Sequence, residues 1–274
     1  MNISHGNLHI ALRMSAELLL SEGKLMDTSS WQGKTDLNGG FTTYEIINHS
    51  FTAPIPEYLV DLKETVKPNL PWADLHFEER VSGIPWNPPP SYKLWPFWRE
   101  SSEETKEVGG VKFSHSYPER YWPKRCELET GNVTISSGRY GIHYPYGDLN
   151  DVVNLLLRDR YTRQAVLPVF FPEDTGAVQG QRVPCSLSYC FLLRDNKLHI
   201  FYTIRSCDCL RHFKDDVYLT CRLLLWMLES LKSKDPPFWV KVTPGNLAMQ
   251  IYSLHMFKND RPILEYQLKG GKLW

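Results

Sequence analysis

The sequence predicts an α+β (mixed α/β) fold, on three observations. Strand-like and helix-like segments interleave irregularly along the chain. With 274 residues, 42% of them hydrophobic and 13% aromatic, it can bury one large core or two small ones. No low-complexity linker divides it, so a single domain over residues 1–274 is expected, with an irregular excursion at about 86–124.

The elements follow in order. Leu8, Leu12, Ala16 and Leu19 share one helical face of an amphipathic segment that ends near Gly23. "GGFTTYEIINHSFTAPIP" reads as a strand with a proline-rich end, and "LPWADLHFEERVSG" as a short helix carrying Glu78 and Glu79. From Asn87 to Lys124, Pro, Trp, Tyr and charged residues crowd together. That composition suits a surface excursion whose aromatic ends are pinned to the body and whose middle, Glu100 to Gly110, is mobile. "GDLNDVVNLLLRDRYTRQAVLPVFF" gives a helix with Val152, Leu155 and Leu156 inward, a basic turn, and a buried strand from Ala165 to Phe171. A hairpin occupies Arg182 to Cys209, "RVPCSLSYCFLLRDNKLHIFYTIRSCDC", turning at Arg194-Asp195-Asn196-Lys197. Asp215 or Asp216 opens a periodic helix with Val217, Cys221, Leu224, Leu225, Leu228 and Leu231 on one face, stopped before Pro236 and Pro237. Two last strands, "FWVKV" and "AMQIYSLHMF", close the sheet.

Charge excludes some functions. Lys plus Arg equals Asp plus Glu at 31 each, which gives no electrostatic case for coating nucleic acid or an anionic membrane. Any bound anion must be met by a local cluster. The first helix, with Arg13 and Glu17 inside its apolar run, does not read as a signal peptide, and no apolar run is long enough to span a bilayer. Six cysteines without a secretory signal suggest a reducing, cytoplasmic compartment and free thiols. Cys207-x-Cys209 lacks the further ligands of a zinc site, so no metal is expected.

If the hairpin turns on Asp195 and Asn196, Cys185 faces Arg205 and Ser206, at the roughly 5 Å of cross-strand neighbours. A guanidinium and a hydroxyl beside a thiol favour the thiolate and offer a seat for an anionic group.

Pro184-Cys185-Ser186, the twenty-residue interval to Arg205-Ser206-Cys207-Asp208, the acidic Asp216 eleven beyond that arginine, and Tyr252-Ser253-Leu254-His255-Met256 together resemble the thymidylate synthase family. The likeness runs from Tyr140 to Met256 and is closest to the cytidylate (dCMP or CMP) 5-hydroxymethylase branch. It implies a thymidylate synthase-like fold, a large mainly antiparallel or mixed sheet packed by helices, in a sheet-to-sheet homodimer with shared active sites. It also implies 5,10-methylenetetrahydrofolate as co-substrate and no metal.

Carried over position by position, the resemblance places Cys185 as the nucleophile that adds to C6 of a pyrimidine nucleoside monophosphate. Arg205 and Ser206 match the phosphate-binding pair, and Arg163 a phosphate arginine lent by the second subunit. The arginine expected beside it is replaced, its neighbours being Thr162 and Gln164. Asp208 matches a residue that holds the pterin of the folate. Tyr252 matches a sugar-hydroxyl ligand, with Gln250 where a histidine is expected, so ribose and deoxyribose both stay open. Glu79 is the candidate general acid/base, with Glu78 in reserve. Asp216 stands where thymidylate synthases carry asparagine. A carboxylate only accepts hydrogen bonds, which suits the amino group and protonated N3 of cytosine rather than the O4 of uracil; a helix cap is the alternative role for Asp216. The expected activity is thus hydroxymethyl transfer to C5 of dCMP or CMP. A C5-methyltransferase, a thymidylate synthase-like enzyme and a catalytically silent nucleotide-binding relative are the alternatives.

Overall fold

The computed structural model describes residues 3–28, 30–31, 34–35, 40–97, 113–126, 147–175 and 183–270. They form a mixture of helices and strands with a mixed sheet, in two compact units: Met1–Pro68 with Phe191–Trp274, and Asn69–Cys190. Glu100 to Gly110, expected as mobile, lies outside the described residues. Among those described, no helix is long and apolar enough to cross a membrane.

The first unit is built on long strands. β1 (Ile3–Ser4) runs parallel to β5 (Thr43–Pro54), and β2 (Lys24–Met26) pairs antiparallel with the start of β5. A small hairpin, β3 (Ser30–Trp31) and β4 (Lys34–Thr35), lies between them in sequence. β5 pairs antiparallel with β9 (Thr243–Phe257), which runs parallel to β8 (Lys197–Asp208). The turn before β8 puts Asp195 and Asn196 at φ 50° and 57°, the left-handed pair that a two-residue hairpin loop requires and that short polar side chains tolerate.

Helix α1 (Leu8–Glu22) covers β5 with Leu8, Ala11, Leu12, Ala16 and Leu19, and Asn7 caps it by accepting from the Ile10 amide at 2.8 Å. α2 (Leu59–Val66) follows β5.

Second-unit elements come next in the chain. α3 (Trp72–Val81) is followed by a 3-10 turn at Pro90–Leu94, the short α4 (Tyr117–Tyr121), α5 (Leu149–Arg158) and β6 (Val166–Pro168). β6 pairs antiparallel with β7 (Ser186–Arg194), within which the chain passes from the second unit to the first. The buried strand expected from Ala165 to Phe171 is therefore only three residues long, and Val166 is exposed. Pro168 has no amide to continue the ladder, and the amides of Val169 and Phe170 both turn to Leu187 O, at 2.9 and 3.1 Å.

In the first unit again, α6 (Phe213–Lys234) packs on β8, β9 and α2, burying Val217, Cys221, Leu224, Leu228 and Leu231. It starts earlier than expected, because His212 is the N-cap and Asp215 and Asp216 sit inside the first turn. Two carboxylates there suit the positive end of the helix dipole. "FWVKV" is not a strand. Pro236 and Pro237 open a single helical turn, α7 (Pro236–Trp239), where their missing amides and fixed φ cost nothing. β9 alone supplies the last strand, and α8 (Arg261–Lys269) ends the unit.

One irregularity crosses three strands at the same level. The ladder pairs Ile47 with Ser253 and His49 with Ile251, omitting Asn48 and Tyr252; Asn48 has φ 60°. Between β8 and β9 it pairs Ile204 with Ile251 and Ser206 with Ser253, omitting Arg205 and Tyr252.

The second unit is held by polar anchors as well as a core. Arg120 and Asp174, both buried, form a two-pronged ion pair at 2.7 and 2.9 Å, with Arg120 over the Phe171 ring. The Asn87 side chain binds Phe113 through both its amide and carbonyl, and donates to Glu119 at 2.7 Å, which ties the two ends of the excursion together. Just beyond α3, Gly83 has a φ of +81°, which favours glycine, and the Arg125 guanidinium that donates to its carbonyl lies where a Cβ would sit.

Candidate active site

The candidate residues fall in two groups, one in each unit. Cys185, Glu79 and Arg163 belong to the Asn69–Cys190 unit; Arg205, Ser206, Asp208, Asp216, Gln250 and Tyr252 belong to the other.

In the first group Glu79 lies on α3 with its side chain 12% exposed. Its Oε1 accepts the Ser91 amide and its Oε2 the Ser91 hydroxyl, both at 2.6 Å, and His76 Nδ1 is 3.3 Å from Oε2. Burial alone would push this carboxyl up, but hydrogen bonds from His76 and Ser91 outweigh it and hold the carboxyl below its ordinary value. His76 is itself pushed down to about 4, by burial first and by Arg80 second. The imidazole is therefore neutral and its Nδ1–H donates to a carboxylate. Trp72 stacks on its other side, with ring centroids 5.0 Å apart.

Tyr117 links the surroundings of this carboxylate to the residue after the cysteine. Its hydroxyl is 3.0 Å from Ser186 Oγ, next to Cys185, and its ring meets the His76 ring edge-on at 6.5 Å. The Arg80 guanidinium lies 4.0 Å from the Tyr117 ring centre. α3, α4 and the first residue of β7 thus converge, bringing Glu79 and the residue beside Cys185 to a common aromatic hub. Glu78 is exposed.

All six cysteines are free thiols, and Cys185 is half-buried. Burial pushes the thiols of Cys190, Cys209 and Cys221 up, away from the thiolate form. Arg163 is exposed in the turn after α5, where Thr162 Oγ accepts the Gln164 amide at 3.1 Å.

In the second group Arg205 and Ser206 are consecutive half-buried residues near the end of β8. Tyr252, 48% exposed, lies beside Arg205 on β9, and Ser206 is the ladder partner of Ser253. Ser253 donates to Glu45. Gln250 donates to Asn48 Oδ1 at 2.7 Å, so its amide is tied to the neighbouring strand.

Asp208 is 6% exposed. Its Oδ1 accepts the amides of Leu210 and Arg211 at 3.0 and 2.9 Å, and Oδ2 lies 3.4 Å from the Arg211 guanidinium, which also pairs with Asp260. Burial pushes this carboxyl up, with His255 and Arg211 opposing. One of its oxygens is thus committed to the turn that joins β8 to α6. Asp216 is half-buried in the first turn of α6, where its amide donates to His212 O at 2.8 Å and its carbonyl accepts from Thr220 Oγ at 2.7 Å. Its Oδ2 lies 3.6 Å from Cys207 Sγ. Because His212 is the cap, Asp216 is not one.

Sequence reasoning missed four neighbours of the candidate residues: His76, Ser91, Tyr117 and Cys207. The spacing of His76 three residues before Glu79 on one helix was a readable signal. Ser91 and Tyr117 come from the excursion, with no local pattern that points to Glu79. Among the described residues no group of His, Cys, Asp and Glu is placed to hold a metal. Compared with family models and with curated protein sequences, the chain matches none.

Proposed function

We propose that the protein is a folate-dependent pyrimidine nucleotide 5-hydroxymethylase acting on dCMP or CMP. The observation that carries this reading is Asp216: a carboxylate, not an amide, set inside the first turn of α6 just beyond the Arg205-Ser206-Cys207-Asp208 run, and not used as a helix cap. Ionised, it accepts from the N4 amino group of cytosine and from a protonated N3.

Arg205 and Ser206 take the phosphate, a dianion suited to a guanidinium and a hydroxyl. Tyr252, exposed beside Arg205, takes a sugar hydroxyl. The Cys185 thiolate adds to C6, which makes C5 nucleophilic toward the one-carbon unit of 5,10-methylenetetrahydrofolate. The C5 proton is then lost, tetrahydrofolate is released, and water captures the exocyclic methylene as Cys185 departs. Glu79, held ionised by Ser91 and His76, is a general base whose Oε1 accepts one hydrogen bond among the described residues. Asp208 offers the pterin only Oδ2, since Oδ1 serves the turn. Arg163 extends from the surface to the phosphate of a second copy, across paired sheet faces.

A catalytically silent nucleotide-binding relative is the second reading, and one observation favours it. Gln250, where a histidine is expected, is tied to Asn48. Tritium release from 5-tritiated CMP, dCMP and dUMP, with and without methylenetetrahydrofolate, separates the two. Folate-dependent release from a cytosine nucleotide is the expected result. Binding without release establishes the silent relative, and release from dUMP alone a thymidylate synthase-like enzyme. Product mass distinguishes hydroxymethyl from methyl.

A further inference from the structure

We infer that Cys207 is a positioning residue for the base-reading carboxylate, through its contact with Asp216. This rests on the reading of Asp216 given above and adds a second residue to base selection. Cys207 is 1% exposed and its Sγ lies 3.6 Å from Asp216 Oδ2, within reach of an S–H···O hydrogen bond. The thiol is the donor, since an ionised carboxylate can only accept.

The Asp216 backbone is already fixed, with its amide on His212 O and its carbonyl under Thr220 Oγ. A donor against Oδ2 limits rotation of the side chain. The geometry is a product of the strand. On β8, Leu198, Ile200, Tyr202 and Ile204 are buried, and beyond the ladder break at Arg205 both Cys207 and Asp208 are buried. An unbroken alternation would have turned Cys207 outward with Thr203 and Arg205. The break that leaves Arg205 and Ser206 accessible therefore also brings the thiol under Asp216.

The test is equilibrium binding of CMP, dCMP, UMP and dUMP by calorimetry to the parent and to Cys207→Ala, Cys207→Val and Cys207→Ser, with the thermal midpoint of each. Ala and Val remove the donor, Val while keeping the buried volume; Ser keeps a donor at the same place. The cytosine-over-uracil ratio should fall about 3- to 10-fold in the Ala and Val variants, the scale of one weak hydrogen bond. In the Ser variant it should stay within about twofold of the parent. An unchanged ratio in Ala and Val overturns the inference, and so does a Ser variant that falls with them, since the effect would then be one of size. If Cys207→Ala does not fold, the Val and Ser variants decide. A parent with no preference for cytosine overturns the reading of Asp216 itself, and that outcome is visible before any variant is made.

Discussion

Mild acid should destabilise this protein through two buried histidines, one in each unit. Burial pushes His76 and His49 each down to about 4, with Arg80 adding to the effect at His76 and His5 at His49. A histidine that stays neutral in the fold while the unfolded chain takes up a proton stabilises fully above pH 6.5, and that contribution is lost as pH falls toward 4. At pH 5, about 1.5 units below the unfolded value and ~1.4 kcal/mol per unit, each histidine removes ~2 kcal/mol from its own unit. Asp148 and Asp208, held up by burial, act in the opposite direction, so the parent curve alone does not isolate the histidines. The comparison that does is with His76→Asn, whose side-chain amide can donate from near the Nδ1 position to Glu79, and His49→Gln, whose amide can reach the Ser15 hydroxyl that His49 Nε2 meets at 2.8 Å. Urea unfolding followed by circular dichroism at several pH values from 8 to 5 gives the free energies. The parent-minus-variant difference should shrink by ~2 kcal/mol between pH 7.5 and pH 5 for each substitution. A difference that stays constant over that range would refute the argument, because the histidine would then titrate alike in folded and unfolded chains.

Four further outcomes are expected. Cys185→Ser should abolish covalent adduct formation and turnover while nucleotide binding persists by calorimetry; turnover that survives, or that depends on Cys190 instead, removes Cys185 from the mechanism. Asp216→Asn should shift relative kcat/KM from cytosine toward uracil nucleotides by about one to two powers of ten, the worth of a charge-assisted hydrogen bond of roughly 1.5–3 kcal/mol; equal weakening of every base would make Asp216 structural. Mixing Arg163→Ala with Cys185→Ser chains should restore activity in hybrid dimers, and a monomer by sedimentation refutes the shared site. Asp174→Asn should cost about 3–5 kcal/mol in denaturant unfolding by stranding the buried Arg120 guanidinium, and a loss below about 1 kcal/mol would show that the pair is not holding the second unit.

The sequence was legible where a local pattern carries its own physics. Asp195 and Asn196 announce a two-residue turn because both tolerate left-handed backbone, and the turn lies there. The apolar stripe of α6 gives the helix, but not its start, since His212 caps without a side-chain hydrogen bond and leaves no signature. "FWVKV" has strand composition, yet Pro236 and Pro237 open a helical turn that outweighs it. The candidate residues of β8 and β9 were picked out by their order and spacing. The partners that fix Glu79 were not, because Ser91 approaches from twelve residues away through an irregular segment, and Tyr117 from farther still.

The ladder break across Asn48, Tyr252 and Arg205 coincides with a phase slip in the two-residue rhythm of β9. In a regular strand any two adjacent side chains point to opposite faces, so a polar pair is always half wasted in the core. At this level Ile47-Asn48, Tyr252-Ser253 and Arg205-Ser206 each stay at least partly accessible as pairs, and on β9 the buried residues change from Leu247, Met249 and Ile251 to Leu254 and Met256. The density of presented side chains along that one line is doubled. This gives a structural reason for the chain's distinctive words being dipeptides, Arg-Ser and Tyr-Ser, where an unbroken strand would favour residues spaced two apart. It also means that deleting one residue of β9 beside the slip would not merely shift the pattern but cancel it, turning one of Tyr252 and Ser253 toward the core.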